Sequence, residues 1–340
     1  MPSSDPRSRK FTDSDPIVVG LVNNMPDAAL QRTEQQFREL LAAANCGVAV
    51  TWRLFSVPQV PRGEAGRLYL AQSYDDIEAL WTTRIDGLIV TGNEPRTPVL
   101  TDEPYWPMLA KLVDWAEGHT ISTIWSCLAA HAAVLHLDGI ARRPLPEKLS
   151  GIFECSKAEN HAILEHAPSR WGVPHSRHNE LPEEALTAQG YCIVSRSPKA
   201  GADMFVKHRR SLFIFLQGHP EYDAAALLRE YRRDSGRFLA GERDSYPQIP
   251  CGYFDEETTS ALTAYQEQVL CQPRALALSF PQIDTGSLTH SWRGLAIQLY
   301  VNWLSYLVKQ RSRNHCPAPA LSGQMQSPAE PPTSAHGLRL

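Results

Sequence analysis

The sequence predicts a doubly wound α/β fold, with a mostly parallel sheet and helices on both faces, and three observations carry that prediction. Apolar runs of strand length alternate with stretches of helical spacing from residue 17 to residue 138. Those runs are continuous rather than alternating, the mark of strands buried on both faces between crossover helices. The chain of 340 residues is 43% apolar, enough to enclose the two-sided core that such a sheet needs.

The first run, Ile17-Val18-Val19-Gly20-Leu21-Val22, stops at Asn23-Asn24-Met25-Pro26, and helical spacing follows over residues 33–44. A β-branched run over 48–55 predicts the second strand. After a Pro- and Gly-containing connection and an amphipathic stretch near 77–81, Asp86-Gly87-Leu88-Ile89-Val90-Thr91-Gly92 predicts the third. A helix over 105–118, a strand over 120–126 and an Ala-rich helix over 128–137 complete the regular half. Beyond Gly139 the pattern loosens, with strands at 190–194, 204–206 and 212–216 and a helix over 224–238. Residues 241–290, interrupted by prolines and holding one helical island at 257–270, read as an irregular insertion on a single domain spanning 16–310. A helix over 295–308 closes that domain, and its apolar face, with Trp303 and Tyr306, suits a homodimer as well as the core. Residues 1–15 read as a flexible N-terminus. Residues 311–340, rich in Pro, Ser and Ala, read as a disordered tail.

With 33 Lys and Arg against 37 Asp and Glu, the formal charge is -4 and no basic block stands out, which argues against a nucleic-acid partner. No stretch approaches the roughly 18 apolar residues of a membrane span. The 7 cysteines are scattered and form no CxxC pair, so reduced thiols and a cytoplasmic location are expected.

One of those thiols stands out. Cys127 falls where a strand meets a small-residue helix, Leu128-Ala129-Ala130, a sharp turn that exposes the side chain and sets the sulfur at a helix N-terminus, where the thiolate is favoured. The plain alternative is a buried structural cysteine. Gly218-His219-Pro220-Glu221 follows the strand at 212–216 and so belongs to the same carboxyl edge of the sheet, where sites of this fold class sit. A histidine with a carboxylate two residues on can offer one ring nitrogen to a thiol while the carboxylate holds the other. Each residue alone reads as a loop histidine or a helix-start acid; together with Cys127 they read as a Cys-His-Glu triad.

That triad is the arrangement of the class I glutamine amidotransferase-like fold. Further strings occur in order: Asn23-Asn24-Met25-Pro26, Thr33-Glu34-Gln35-Gln36-Phe37, Glu147-Lys148-Leu149-Ser150-Gly151, Pro174-His175-Ser176-Arg177, Gly218-His219-Pro220-Glu221-Tyr222-Asp223 and Asn302-Trp303-Leu304. On these the chain resembles, over about 16–310, the homoserine O-acyltransferase family of methionine biosynthesis, usually called homoserine O-succinyltransferase. The resemblance implies a ping-pong transfer of an acyl group from acyl-CoA to a hydroxy amino acid, with the thioester as co-substrate and no bound cofactor. It implies Cys127 as nucleophile, His219 as general base and acid, and Glu221 as the residue orienting His219. Glu230, Arg233, Lys148 and Ser176 match family positions lining the amino-acid pocket. Fold geometry makes the backbone N–H groups of Leu128 and of the turn at Gly92 and Asn93 the expected oxyanion donors.

The chain also departs from that family. Arg96 stands where members carry a residue associated with acyl choice, and it is expected to pair with the free carboxylate of a succinyl group, favouring succinyl-CoA over acetyl-CoA. Asp27, the residues flanking Cys127, the long 241–290 segment and Ser291-Trp292-Arg293 differ as well. An acceptor of serine rather than homoserine therefore stays open, because one methylene is worth only about 1–3 kcal/mol of discrimination. A glutaminase with the same triad and a non-catalytic binding protein are the rival classes. No metal is expected: His175 and His178 are the nearest approach to ligand spacing, with no cysteine or carboxylate evident to complete a set.

Overall fold

The computed structural model describes residues 15–44, 47–271 and 278–315. In chain order its elements are β1 (Ile17–Val22), α1 (Asp27–Ala43), β2 (Val50–Phe55), α2 (Glu64–Ser73), α3 (Ile77–Leu80), β3 (Gly87–Val90), α4 (Trp106–His119), β4 (Ser122–Ser126) and α5 (Leu128–Asp138). There follow β5 (Arg143–Lys157), β6 (Arg170–Glu180), α6 (Glu183–Ala188), β7 (Cys192–Ser197), β8 (Gly201–His208), β9 (Leu212–Leu216), α7 (Ala226–Leu239), α8 (Glu256–Cys271) and α9 (Arg293–His315).

The strands form one nine-stranded sheet in the order β2-β1-β3-β4-β9-β8-β7-β5-β6. From β2 to β9 every pairing is parallel; from β9 outward every pairing is antiparallel. The parallel half is buried on both sides, which is why its strands read as continuous apolar runs. In β9, Phe213 and Phe215 join Trp125 and the helices α4 and α5 on one face. Leu212, Ile214 and Leu216 join Ile89, Ile124, α1 and α9 on the other. The expected two-faced α/β architecture is therefore present, with an antiparallel arm extending it.

Several elements differ from expectation. α1 begins at Asp27, six residues before the apolar spacing starts, because its first turns lie on the surface apart from Leu30. The connection before residue 77 contains α2, whose one buried residue is Gly66, too little burial to write an apolar stripe. β5 and β6 form a long antiparallel hairpin that the sequence concealed. Its buried apolar side chains are few, Phe153 and Cys155 on β5 and Trp171 and Val173 on β6, and the alternation on β6 continues with the polar His175 and Arg177.

The 241–290 segment is fastened to β5 at Gly151, whose φ of 141° lies in the region that favours glycine. Cys251 N–H donates to Ser150 O at 2.9 Å, and Ile152 N–H to Cys251 O at 2.8 Å. α9 runs on to His315, past the expected end of the domain, and Arg311 is buried. The expected flexible residues 1–14 and the tail beyond 315 lie outside the described residues. The α9 face carrying Trp303 is spent on this chain's own core: Trp303 is fully buried and donates to Ser122 Oγ at 3.0 Å. No helix among the described residues is long and apolar enough to cross a membrane.

Candidate active site

Cys127 occupies the turn between β4 and α5 with φ 52° and ψ -112°, a left-handed conformation that costs a non-glycine residue about 1–3 kcal/mol. The sheet holds it there: Cys127 N–H donates to Leu216 O on β9 at 2.7 Å, and Cys127 O accepts from Ala130 N–H at 3.0 Å and His131 N–H at 3.2 Å. The small Ala129 and Ala130, both buried, let α5 start directly behind the turn. The thiol is left half-exposed, on the positive end of a helix.

β9, the neighbour of β4, delivers His219 and Glu221 to the same edge. His219 N–H donates to Pro174 O at 2.8 Å, fixing the loop across to β6. Its Nδ1 lies 2.8 Å from Glu221 Oε1, and its ring stacks on Tyr222 at 4.3 Å between centroids. Burial alone would lower the imidazole pKa. The charge and hydrogen bond of Glu221, with the electrostatic influence of the neighbouring Cys127, outweigh burial and hold His219 well above its ordinary value. Both His219 and Glu221 are buried, so this coupling is poorly screened.

The expected oxyanion donors are brought together too. A Cβ on Gly92 would lie 2.8 Å from Leu128 N and 2.6 Å from Leu128 Cβ, so only glycine lets the turn after β3 approach the start of α5 this closely. Gly92, Asn93, Cys127 and Leu128 line one cavity of about 690 Å³.

In the same cavity wall, α7 presents Glu230 and Arg233, three apart on one face, to β5 and β6. Lys148 Nζ lies 3.2 Å from Glu230 Oε2 and 2.8 Å from Asp234 Oδ2. Ser176 Oγ and the Tyr222 hydroxyl both donate to Glu230, and Arg233 pairs with Asp234 at 2.8 Å. Burial works to raise the Glu230 pKa, but Lys148 first, then Arg233 and the two hydroxyls, bring it below the ordinary carboxylate value. The run 229–234, which reads as a solvated charged face, thus contributes an ion-paired wall to the cavity.

Arg96 is the exception among the expected site residues. Its side chain is exposed and it is absent from the cavity wall. The buried Glu103 accepts the backbone N–H of Arg96 and, at 2.7 Å, that of Thr97, a tether that leaves the Arg96 guanidinium outside. Among the wall residues that sequence reasoning did not single out are Tyr222, Asp234, Arg142 and Arg177. Arg177 closes the Pro-His-Ser-Arg string and Asp234 follows Glu230 by one helical turn, so both had a signal; Arg142, in a connection, had none.

Behind His219 the structure corrects the reading of His175. Cys155 and Asp203, remote in sequence, each bring a donor atom within 4.8 Å of it. Arg177 Nε donates to His175 Nδ1 at 3.4 Å, His175 Nε2 lies 3.3 Å from Asp203 Oδ1, and Ser195 Oγ donates to Asp203 Oδ2 at 2.7 Å. The cluster is a buried group of polar side chains beside the His219 loop, and His175 Nε2 makes no hydrogen bond within it. A Cβ on Gly218 would meet Asp203 Oδ1 at 2.7 Å and His175 Cε1 at 3.1 Å.

Known proteins match this chain over most of its length. The homoserine O-succinyltransferase family profile matches residues 4–314. The homoserine O-succinyltransferase of Methylorubrum extorquens is 49% identical over 86% of this chain and 87% of that protein. That of Rhodopseudomonas palustris is 48% identical over 86% and 89%, and that of Bradyrhizobium japonicum 43% identical over 88% and 92%. A solved glutamine amidotransferase from Methylobacillus flagellatus is similar at a TM-score of 0.49 and 14% identity, over 86% of this chain and 94% of that one. With the profile spanning nearly all the described residues and relatives this similar along their own lengths, the chain belongs to the homoserine O-succinyltransferase family.

Proposed function

We propose that the chain transfers the succinyl group of succinyl-CoA to the side-chain hydroxyl of homoserine through a thioester on Cys127. The observation that carries this reading is that Cys127, His219 and Glu221 line one cavity together with the Lys148–Glu230–Arg233 network, in a chain 49% identical to a homoserine O-succinyltransferase.

In this mechanism the Cys127 thiolate attacks the thioester carbon of succinyl-CoA. A new S–C bond forms as the bond to the CoA sulfur breaks, and His219 gives its proton to the departing CoA thiolate. The exchange of one thioester for another is close to isoenergetic. The N–H groups of Leu128 and of Gly92 and Asn93 stabilise the oxyanion. Acylation consumes the Cys127 charge, and with it part of what held the proton on His219; Glu221 remains to orient the ring. His219, now neutral, accepts the proton of the homoserine hydroxyl as its oxygen attacks the acyl carbon. The ester leaves, and thiolate and imidazolium are restored. Glu230 suits the amino group and Arg233 the carboxylate of the amino acid, with Lys148 and Ser176 fixing Glu230. Succinyl-CoA enters as co-substrate, so the cycle needs no bound cofactor.

Intact-protein mass after mixing with succinyl-CoA or acetyl-CoA, followed by homoserine or serine, tests the whole reading. The expected result is one succinyl adduct, lost on adding homoserine and never formed by Cys127→Ala. An acetyl adduct, or discharge by serine, reassigns donor or acceptor. No adduct with either thioester ends the transferase reading, and a glutamine-derived adduct with ammonia release replaces it with a glutaminase.

A further inference from the structure

We propose that Arg142 and Arg177 form the subsite that reads the free carboxylate of the Cys127-bound succinyl group, the part the sequence assigned to Arg96. The inference rests on the transferase reading above and deepens it. Both arginines line the cavity together with Cys127 and Leu128. The other cations on its wall are matched by carboxylates: Lys148 by Glu230 and Asp234, Arg233 by Asp234, Arg237 by Glu94 at 2.7 Å, and Arg243 by Asp234 at 3.8 Å. Among the described residues, Arg142 and Arg177 make no such ion pair.

Arg177 is 3% exposed. Its hydrogen bonds run to Asn179 O at 2.8 Å, to Ala200 O and to His175 Nδ1 at 3.4 Å, acceptors that orient a guanidinium without neutralising it. A buried guanidinium with no carboxylate in direct ion-pair contact is costly, so an anion arriving in the cavity would be favoured beside it. Arg142 is half-buried and gives one N–H to Pro98 O at 3.0 Å. That bond ties it to the loop leading away from Gly92, the loop expected to face the acyl chain.

Carboxylates nearby, Glu103 for Arg142 and Glu180 and Asp203 for Arg177, act on the two guanidinium groups without closing an ion pair with either. Burial lowers both guanidinium pKa values, and the Cys127 charge is among the influences that counter it. His131, also on the wall, stays neutral: burial first, then Arg177, takes its pKa to about 3. Acylation removes the Cys127 charge. A succinyl group brings a carboxylate within the cavity for the two guanidinium groups to pair with, whereas an acetyl group brings none. The two arginines therefore favour succinyl over acetyl at the acyl-enzyme itself.

Single-turnover acylation, read as CoA release and intact mass with succinyl-CoA and with acetyl-CoA, tests this on the full chain, on Arg142→Ala and on Arg177→Lys. The half-exposed Arg142 is the principal variant, and the lysine at 177 keeps the buried charge should a smaller residue prevent folding. The expected result is a succinyl-to-acetyl rate ratio that falls about tenfold or more in Arg142→Ala and also falls in Arg177→Lys, whose ammonium cannot form a bidentate pair. A ratio unchanged in both variants, with the wild type still acylated, overturns the subsite and leaves the transferase reading standing. A wild type acylated by neither thioester overturns both.

Discussion

Glu221 spends one oxygen on His219 at 2.8 Å and on Ser126 Oγ at 3.5 Å, while its buried Oε2 has no hydrogen-bond partner. The carboxylate is therefore placed for the imidazole and little else. Replacing it by the isosteric amide keeps the shape and removes the charge that contributes most to raising the His219 pKa. Glu221→Gln should lower that pKa, weaken the thiolate–imidazolium pair and slow acyl transfer by on the order of 10²-fold or more. The pH dependence of Cys127 alkylation, measured beside the transfer rate and a circular dichroism spectrum, checks it. Unchanged alkylation and turnover would remove Glu221 from the mechanism.

At the scale of elements, the site depends on how closely the β3 turn and the start of α5 approach. Gly92→Ala would push its Cβ into Leu128 N at 2.8 Å; overpacking of this kind costs about 1–3 kcal/mol and shifts the proposed oxyanion donors. Both the urea midpoint and kcat should fall. Gly236 on α7 is the contrast. It is exposed, a Cβ there meets nothing within 4 Å, and Gly236→Ala should stabilise the helix by about 0.5–1 kcal/mol with turnover unaltered. Similar midpoints for the two variants would show that the close approach at Gly92 is relaxed in solution.

For the molecule as a whole, the ends of the domain are locked together. Arg311 on α9 donates to Asp15 O at 2.6 Å and Pro16 O at 3.0 Å, and lies 3.6 Å from the buried Asp86. Asp86 in turn accepts from Val18 N–H at 2.9 Å and pairs with Arg84 at 3.0 Å. Arg311→Ala leaves that carboxylate one cation poorer and should cost about 2–3 kcal/mol in chemical denaturation; a loss within error would mean that Arg84 suffices.

Global stability should also peak near about pH 6.5, the ordinary histidine value. The raised pKa of His219 gives stability that is complete below about pH 6.5 and is lost as pH climbs through the folded value. Buried His131 and His175, with lowered pKa values, act oppositely. They favour unfolding progressively as pH drops below about 6.5. Below about pH 4.5 the loss of the depressed carboxylates Glu230 and Asp234 adds to this. Urea unfolding from pH 4 to 9 reads the curve, and a monotonic profile would contradict these assignments.

The parallel half of the sheet, the turn at Cys127 and its meeting with His219 and Glu221 on one sheet edge were all legible in the amino-acid order. Continuous apolar runs, a small-residue helix start and strand ends on one edge are local patterns with a single geometric solution. That order did not disclose the β5–β6 hairpin, because the inward positions of β6 pass from Trp171 and Val173 to the polar His175 and Arg177, and the apolar alternation breaks off. Nor could it tell which charges meet. Lys148 reaches Glu230 and Asp234 across more than 80 positions, Cys155 and Asp203 close on His175, and Arg96 faces solvent while Arg142 and Arg177 face the cavity. Charge pairing depends on distances of a few ångströms between chain segments far apart in sequence, and only the folded sheet sets those distances.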